Sequence, residues 1–217
     1  MPDDVSRAVL RRMLGHVAGK RVIELGCGSG DVAIGLALDG ATVIAVDTSS
    51  SNIDAARAAA QAAEVRLEFQ QADLADLAFL RADSVDLAFS DGALASGAYL
   101  DRVFRQVHRV LRTGGVFAFS LPHPMTLCAP SETTPEGALP LTRPALVRSY
   151  FDESPIEIGE GTSMRVVYPH RTSDILASLL RAGYKIDVLA EPEPARGAAG
   201  RSLTPDNIIW RAKKEGV

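Results

Sequence analysis

From residue 20 to about residue 121 the chain alternates short, apolar, β-branched runs with longer segments of helical spacing. KRVIELG at 20–26, ATVIAVD at 41–47, VRLEFQQAD at 65–73, SVDLAFSD at 84–91 and VFAFSLP at 116–122 read as strands. Runs that are apolar on both faces belong in the interior of a parallel sheet, not on a half-exposed antiparallel one. Between them lie DVAIGLALDG, SSSNIDAARAAAQAAE with its serine N-cap candidates, and AYLDRVFRQVHRVLRTGG. In the last of these Leu100, Val103, Phe104, Val107, Val110 and Leu111 fall at helical spacing, and Gly114–Gly115 supply a stop. Parallel strands need crossovers, and the helices of the crossovers cover both faces. The expected fold is therefore α/β and doubly wound.

The rest of the chain frames this alternation. VSRAVLRRMLGHV precedes it as a helix with Val5, Val9, Met13 and Val17 on one face. After Pro122 the period is lost, and residues 123–165 are rich in Pro, Thr, Glu and Gly. So long an irregular stretch inside a domain marks a functional loop or lid. TSDILASLLRAG then reads as a helix, and YKIDVLAEP and NIIWRAKK as two closing strands. One domain spanning 1–217 is expected: an N-terminal helix at 1–19, a cofactor-binding core at 20–121, a substrate and lid region at 123–171, and a closing helix and two strands at 172–217.

A net charge of −4 leaves no basic excess to track a phosphate backbone, so nucleic acid is not an expected partner. Two cysteines, Cys27 and Cys128, fit a reduced compartment. No run is long enough to span a bilayer, and MPDDVSRAVLRRM is unlike a signal peptide. The expectation is a soluble, cytoplasmic protein. No His, Cys or acid pair has the spacing of metal ligands, so no metal is expected.

VIELGCGSGDVA at 22–33 points to the chemistry. In open parallel sheets ligands sit at the carboxyl ends of the strands, where glycines let them approach the backbone. Two cofactors fit such a turn. Read from Gly28, GSGDVA matches the dinucleotide pattern, but Asp31 then lies in the first helical turn, where it repels a pyrophosphate. S-adenosyl-L-methionine (SAM) carries a sulfonium and an ammonium instead, and Glu24 and Asp31 suit both. Asp47, closing the second strand, can accept ribose hydroxyls of either cofactor.

Together the segments resemble the class I SAM-dependent methyltransferases. VIELGCGSGDVAIGLALDGATVIAVDTS is similar to their first two motifs, QADL at 71–74 to the third, SVDLAFS to the fourth-strand motif, and HRVLRTGGVFAFS to the passage into strand five. FSLPHP, YPHRTSDILASLLRAGYKIDVLAEPEP and NIIWRAKK resemble, more loosely, a bacterial small-molecule branch. The resemblance implies a Rossmann-like sheet of seven strands, mostly parallel with the last antiparallel, an insertion after strand five, and SAM as methyl donor with S-adenosyl-L-homocysteine as product. It implies that Gly26, Gly28 and Gly30 line the methionine part, that Glu24 orders the turn, and that Asp47 takes the ribose. Thr48 and Asn52 would border the adenine, Asp73 and Leu74 its rim, and Ser90 would lie under the sulfonium. Ala95 stands where that branch often carries a histidine, and Asn52 where a methionine is common.

The methyl acceptor would be a small molecule, methylated at oxygen, nitrogen or carbon. FSDGA after the fourth strand lacks the Pro-Pro-Tyr/Phe signature of DNA and protein-amide methyltransferases. His123 in PHP and His170 at the helix start YPHRT are the candidate bases, and Tyr150 and Tyr168 the candidate acceptor-lining aromatics. Two other readings stay open: a protein that binds SAM without transferring methyl, and an NAD-binding Rossmann enzyme using the Gly28 register. With so short an N-terminal region, a homodimer could complete the cover over the site.

Overall fold

The computed structural model describes residues 4–128, 146–158, 164–193 and 204–216. The first half runs α1 (Asp4–Leu14), β1 (Arg21–Leu25), α2 (Asp31–Leu38), β2 (Thr42–Asp47), α3 (Ser50–Ala62), β3 (Glu68–Gln71) and β4 (Val85–Asp91). A single 3-10 turn (Ala93–Ser96) leads to α4 (Leu100–Val110), β5 (Leu111–Pro122) and the short α5 (Pro124–Cys128). Then come β6 (Ile156–Ile158), β7 (Arg165–Val167), α6 (Thr172–Arg181), β8 (Tyr184–Ala190) and β9 (Asn207–Lys214).

Seven strands form one sheet in the order β3-β2-β1-β4-β5-β9-β8. The pairs from β3 to β5 are parallel, and β9 runs antiparallel to both β5 and β8. The strand order reverses between β1 and β4, which opens a crevice at their carboxyl ends. The predicted seven-stranded, doubly wound architecture is thus the observed one.

The alternation of side chains along each strand builds two cores. Phe117, Phe119 and Leu121 of β5 point to one face, with Phe104 and Val107 of α4, Leu179 of α6 and Trp210 of β9. Val116 and Ala118 point to the other, with Leu10 of α1, Leu36 of α2 and Ala56 of α3. α4 is also tied to the loop after β3: the Arg109 guanidinium donates to the carbonyls of Leu77 at 2.7 Å and Leu80 at 2.9 Å.

Three details differ from expectation. The deep face of α1 is Ser6, Leu10 and Leu14, while Val5, Val9 and Met13 flank it half-buried. The ridge contacting the sheet is set by how the helix lies on β5, which apolar counting does not capture. α4 passes directly into β5 at Leu111, which pairs with Val85. The Gly114–Gly115 pair bulges out before Val116 resumes the ladder against Leu87. Finally, the stretch expected to be irregular contains α5 and the β6–β7 hairpin. Three-residue strands are too short to show a period. Residues 129–145 and 159–163 of that stretch lie outside the described residues.

Candidate functional site

β1 and β2 end side by side, Leu25 opposite Val46. The chain then folds back, and the N–H groups of Gly26 and Cys27 both donate to the Val46 carbonyl, at 2.8 and 3.0 Å. Gly26 has φ +78°, and a Cβ there would stand 2.0 Å from the Cβ of Ala93. Only glycine permits both the left-handed backbone and the close approach of the 3-10 turn. Gly28 also has positive φ, with nothing within 4 Å of where its Cβ would be. Its N–H donates to Asp47 Oδ2 at 2.9 Å.

At these strand ends opens a cavity of about 550 Å³, the size of a drug-sized ligand site. Gly26, Asp47, Thr48, Asn52, Asp73 and Leu74 all line it. The ends of three strands and the first turn of α3 are needed to bring these residues together. Asp47 also accepts from the Ser49 N–H at 2.9 Å and from Asn52 Nδ2 at 3.1 Å, both on Oδ1. A carboxylate has about four acceptor positions, so one, on Oδ2, stays open toward a ligand. Asp73 gives Oδ1 to the Ala75 N–H at 2.8 Å.

Beneath the turn, Glu24 is 2 % exposed and its Oε2 has no partner. Burial, with the nearby Asp91 carboxylate adding to it, pushes its pKa up to about 8. The Ala33 N–H in the first turn of α2 pulls the other way. Asp91 itself is held by Arg7 of α1 at 2.9 Å and by the Ser120 hydroxyl at 2.8 Å. The N-terminal helix is thereby fastened to the end of β4.

Several predicted residues are not where expected. A Cβ on Gly30 would meet Ala56 of α3 at 2.9 Å, so this glycine lets two helices approach and is not exposed to the cavity. Ser90 is fully buried, and its hydroxyl donates to the Leu25 carbonyl at 2.8 Å, tying β4 to β1. His123 has both ring nitrogens engaged. Nδ1 accepts the Met125 N–H at 3.2 Å, so Nε2 carries the proton and donates it to Glu191 at 2.9 Å. At 7 % exposure it clamps the start of α5 to the end of β8, and it does not line the cavity.

Tyr150 holds its own segment down: its hydroxyl accepts the Thr172 N–H at 3.2 Å at the start of α6. Tyr168 joins the site only through its backbone, whose N–H donates to the Ala95 carbonyl at 2.8 Å. His170 comes closest to the expected role. Its Nε2 faces the carbonyl of Gly97, a cavity-lining residue, at 3.3 Å. Facing a carbonyl, Nε2 must carry the proton, which leaves Nδ1 as an acceptor. Desolvation lowers the ring's pKa and so favours its neutral form.

The sequence reading missed the opposite wall. Ala93, Ser96, Gly97, Tyr99, Arg102 and Val103 line the cavity from the 3-10 turn and the first turn of α4. The signal was present in GALASGA, a run of small side chains directly after a sheet strand, which leaves room for a ligand. Among the described residues no three His, Cys, Asp or Glu gather to hold a metal, and no helix is long and apolar enough to cross a membrane.

Known proteins share this arrangement. A family model described as a methyltransferase domain matches residues 16–164. The fold superposes with a TM-score of 0.76 on an S-adenosylmethionine-dependent methyltransferase from Mesorhizobium loti, 28% identical over 96% of this chain and 97% of that one. A Listeria monocytogenes protein assigned to the same class gives a TM-score of 0.78 at 26% identity, with 96% and 97% covered. The ubiquinone biosynthesis O-methyltransferase of Pseudomonas syringae pv. tomato is 30% identical over 48% of this chain and 45% of its own length. The chain spans about half the length of the curated relatives it matches. With the matched region covering the glycine turn, both cavity acids and the 3-10 turn, the chain belongs to the methyltransferase-domain family.

Proposed function

We infer that the chain transfers the methyl group of SAM to an oxygen, nitrogen or carbon atom of a small molecule. The observation that carries this reading is the single cavity in which Gly26, Asp47, Thr48, Asn52, Asp73 and Leu74 converge. Those are six of the ten residues that the resemblance assigns to the cofactor. SAM, when bound, supplies a methyl group already activated on a sulfonium.

The chain's own residues have limited tasks. Gly26 and Gly28 give the ligand access to the backbone. Asp47 offers its remaining acceptor position to a ribose hydroxyl, one rather than two while Asn52 holds Oδ1. Asp73 offers Oδ2 to the adenine amino group. Leu74 and Leu94 keep water from the bound base, and Glu24, protonated with its pKa raised to about 8, supports the glycine turn from beneath and offers no charge to the cationic methionine end. The acceptor is held by the wall that carries Gly97 and Tyr99. If it must lose a proton, His170 is the histidine placed beside that wall.

The size of the cavity and the acidic chain favour a small acceptor over a nucleic acid. The matched ubiquinone biosynthesis O-methyltransferase makes an oxygen acceptor the first to try. The reading includes cytoplasmic location without metal. It also includes a homodimer that completes the cover over the site, which a monomer by sedimentation at working concentration would overturn. An NAD enzyme is disfavoured because Asp31 is the first residue of α2, facing where a pyrophosphate would sit.

Calorimetric titration with S-adenosylhomocysteine, beside NADH, tests the cofactor. Micromolar binding is expected, weakened about tenfold by Asp73→Asn, which keeps the turn to Ala75 but loses the charge. Binding of NADH instead overturns the reading. Binding of S-adenosylhomocysteine with no methyl transfer to any of a broad acceptor panel favours the second reading, a SAM-binding protein without transfer. That reading draws support from His123, one of the two candidate bases, being fully engaged elsewhere.

A further inference from the structure

We propose that Arg102 covers the face of the adenine, so that its guanidinium, and not only apolar side chains, holds the base in the site. This rests on the reading of the cavity as a SAM site and adds a residue that the resemblance does not assign.

The argument begins with the helix. Arg109 of α4 grips the carbonyls of Leu77 and Leu80. Arg102 lies seven residues earlier, two helical turns and about 10 Å toward the N-terminus, on nearly the same face. It therefore faces the earlier part of the same loop, where Asp73, Leu74 and Ala75 line the cavity. Val103 packs with Ala75 and Leu77 in one core, which fixes this side of α4 against the loop.

Charge supports the assignment. Among the described residues lining the cavity Arg102 is the one Arg or Lys. Its neighbour Arg105 is tied to Asp101 at 2.7 Å. Arg102 has no ion pair or side-chain hydrogen bond among the described residues, not even with Asp73 across the cavity. It is exposed, at the cavity rim.

An adenine presents two kinds of surface. Its edge carries donors and acceptors, and the unfilled Oδ2 of Asp73 can read the amino group there. Its faces carry none, and must be covered by something flat or apolar. Leu74 serves that purpose on the loop side. A guanidinium is planar, weakly hydrated and stacks on aromatic rings, and an unpaired one at the opposite rim supplies the second cover. Such a cover also lets the ligand leave, because it is held by no other contact.

The test uses two probes: S-adenosylhomocysteine, and 5′-methylthioadenosine, which has the adenosine but no amino acid. Arg102→Ala is expected to weaken both by the same factor, about 3- to 30-fold, with an unchanged melting temperature for the unliganded protein. Arg102→Lys, with charge but no plane, should recover only part of the loss. If only S-adenosylhomocysteine weakens, Arg102 holds the cofactor's carboxylate and the proposal is wrong. If neither probe weakens and the KM of the acceptor rises instead, Arg102 belongs to the acceptor and the proposal is again wrong. If the wild-type protein binds neither probe, the reading of the cavity itself fails, and this inference with it.

Discussion

The strand ends from Gly26 to Asp73 and the segments that follow β5 are both polar, but their polar groups are used differently. At the strand ends, folding leaves positions open: Glu24 Oε2, one acceptor position of Asp47, Oδ2 of Asp73 and the whole guanidinium of Arg102. After β5 the predicted bases and aromatics close on protein partners, although Arg148 Nε, Trp210 Nε1 and Arg211 Nε are buried there without a partner among the described residues. His123 uses both ring nitrogens, and the Tyr150 hydroxyl caps α6. Thr126 bonds the Pro205 carbonyl. A buried polar group left unfilled, as at Glu24 and Asp47, is a standing expense that a ligand can relieve, exposed ones such as Asp73 and Arg102 are available at the cost of their water, and one already paired has nothing left to offer. The contrast separates a place built to bind from a place built to hold the chain.

Gly26→Ala should break the first region most completely. The new Cβ would overlap Ala93 and the residue would be forced to φ +78°. Overpacking and a left-handed alanine together predict a loss of about 4 kcal/mol and no detectable S-adenosylhomocysteine binding. Gly28→Ala is the control. It has the same backbone problem at φ +52° but no clash, so it should lose only about 1–2 kcal/mol. Equal losses in urea unfolding for the two variants would show that the 3-10 turn does not press on the glycine turn as described.

Glu24→Gln comes next, and its effect depends on pH. The folded-state pKa is raised from 4.5 to about 8, so the folded protein holds a proton that the unfolded chain has released. The wild type is then fully stable below pH 4.5 and loses stability as pH rises through 8. Glutamine resembles the neutral acid at every pH. The variant should match the wild type near pH 4 and exceed it by a growing margin up to pH 8, on the order of a few kcal/mol. A difference in melting temperature that is flat with pH would show that Glu24 is not carrying its proton.

How much of this was legible follows the same division. β1, β2, β4 and the order of elements were readable because a strand buried on both faces has a composition of its own. The glycine turn was readable because backbone geometry at Gly26 and Gly28 admits essentially one residue type. Asp47 followed from its place at a strand end, and Asn52 and Asp73 only from the resemblance of their segments to a known family. His123, Ser90 and Gly30 were misplaced because a residue type and a position near the site do not say where a side chain's partners are. Those partners, Glu191, Leu25 and Ala56, are between 26 and 68 residues away along the chain. Arg102 was invisible for a related reason, since its meaning comes from Arg109 fixing which face of α4 meets the loop.

His123→Ala sharpens the comparison from the other side. The substitution strands Glu191 and the Met125 N–H, so a stability loss of about 2 kcal/mol is expected. Turnover per folded molecule should fall far less than the 100-fold that removal of a general base entails. A 100-fold fall in kcat with stability intact would return His123 to the active site and erase the division between the two regions.

The smallest expected effect is that of Tyr150→Phe. The ring stays, with its edge-on contact to Phe151 at 5.3 Å between centroids, and only the hydroxyl that accepts the Thr172 N–H is lost. The tyrosine is more than a third exposed, so water can take over that N–H, and the loss should be about 0.5–1 kcal/mol. Because the contact ties residues 146–152 to the start of α6, it should appear as faster hydrogen exchange at Thr172 and Ser173. Methyl transfer should keep its KM for every acceptor. A selective rise in KM would mean that the Tyr150 hydroxyl faces the acceptor as well as the helix, and that the second region contributes to binding after all.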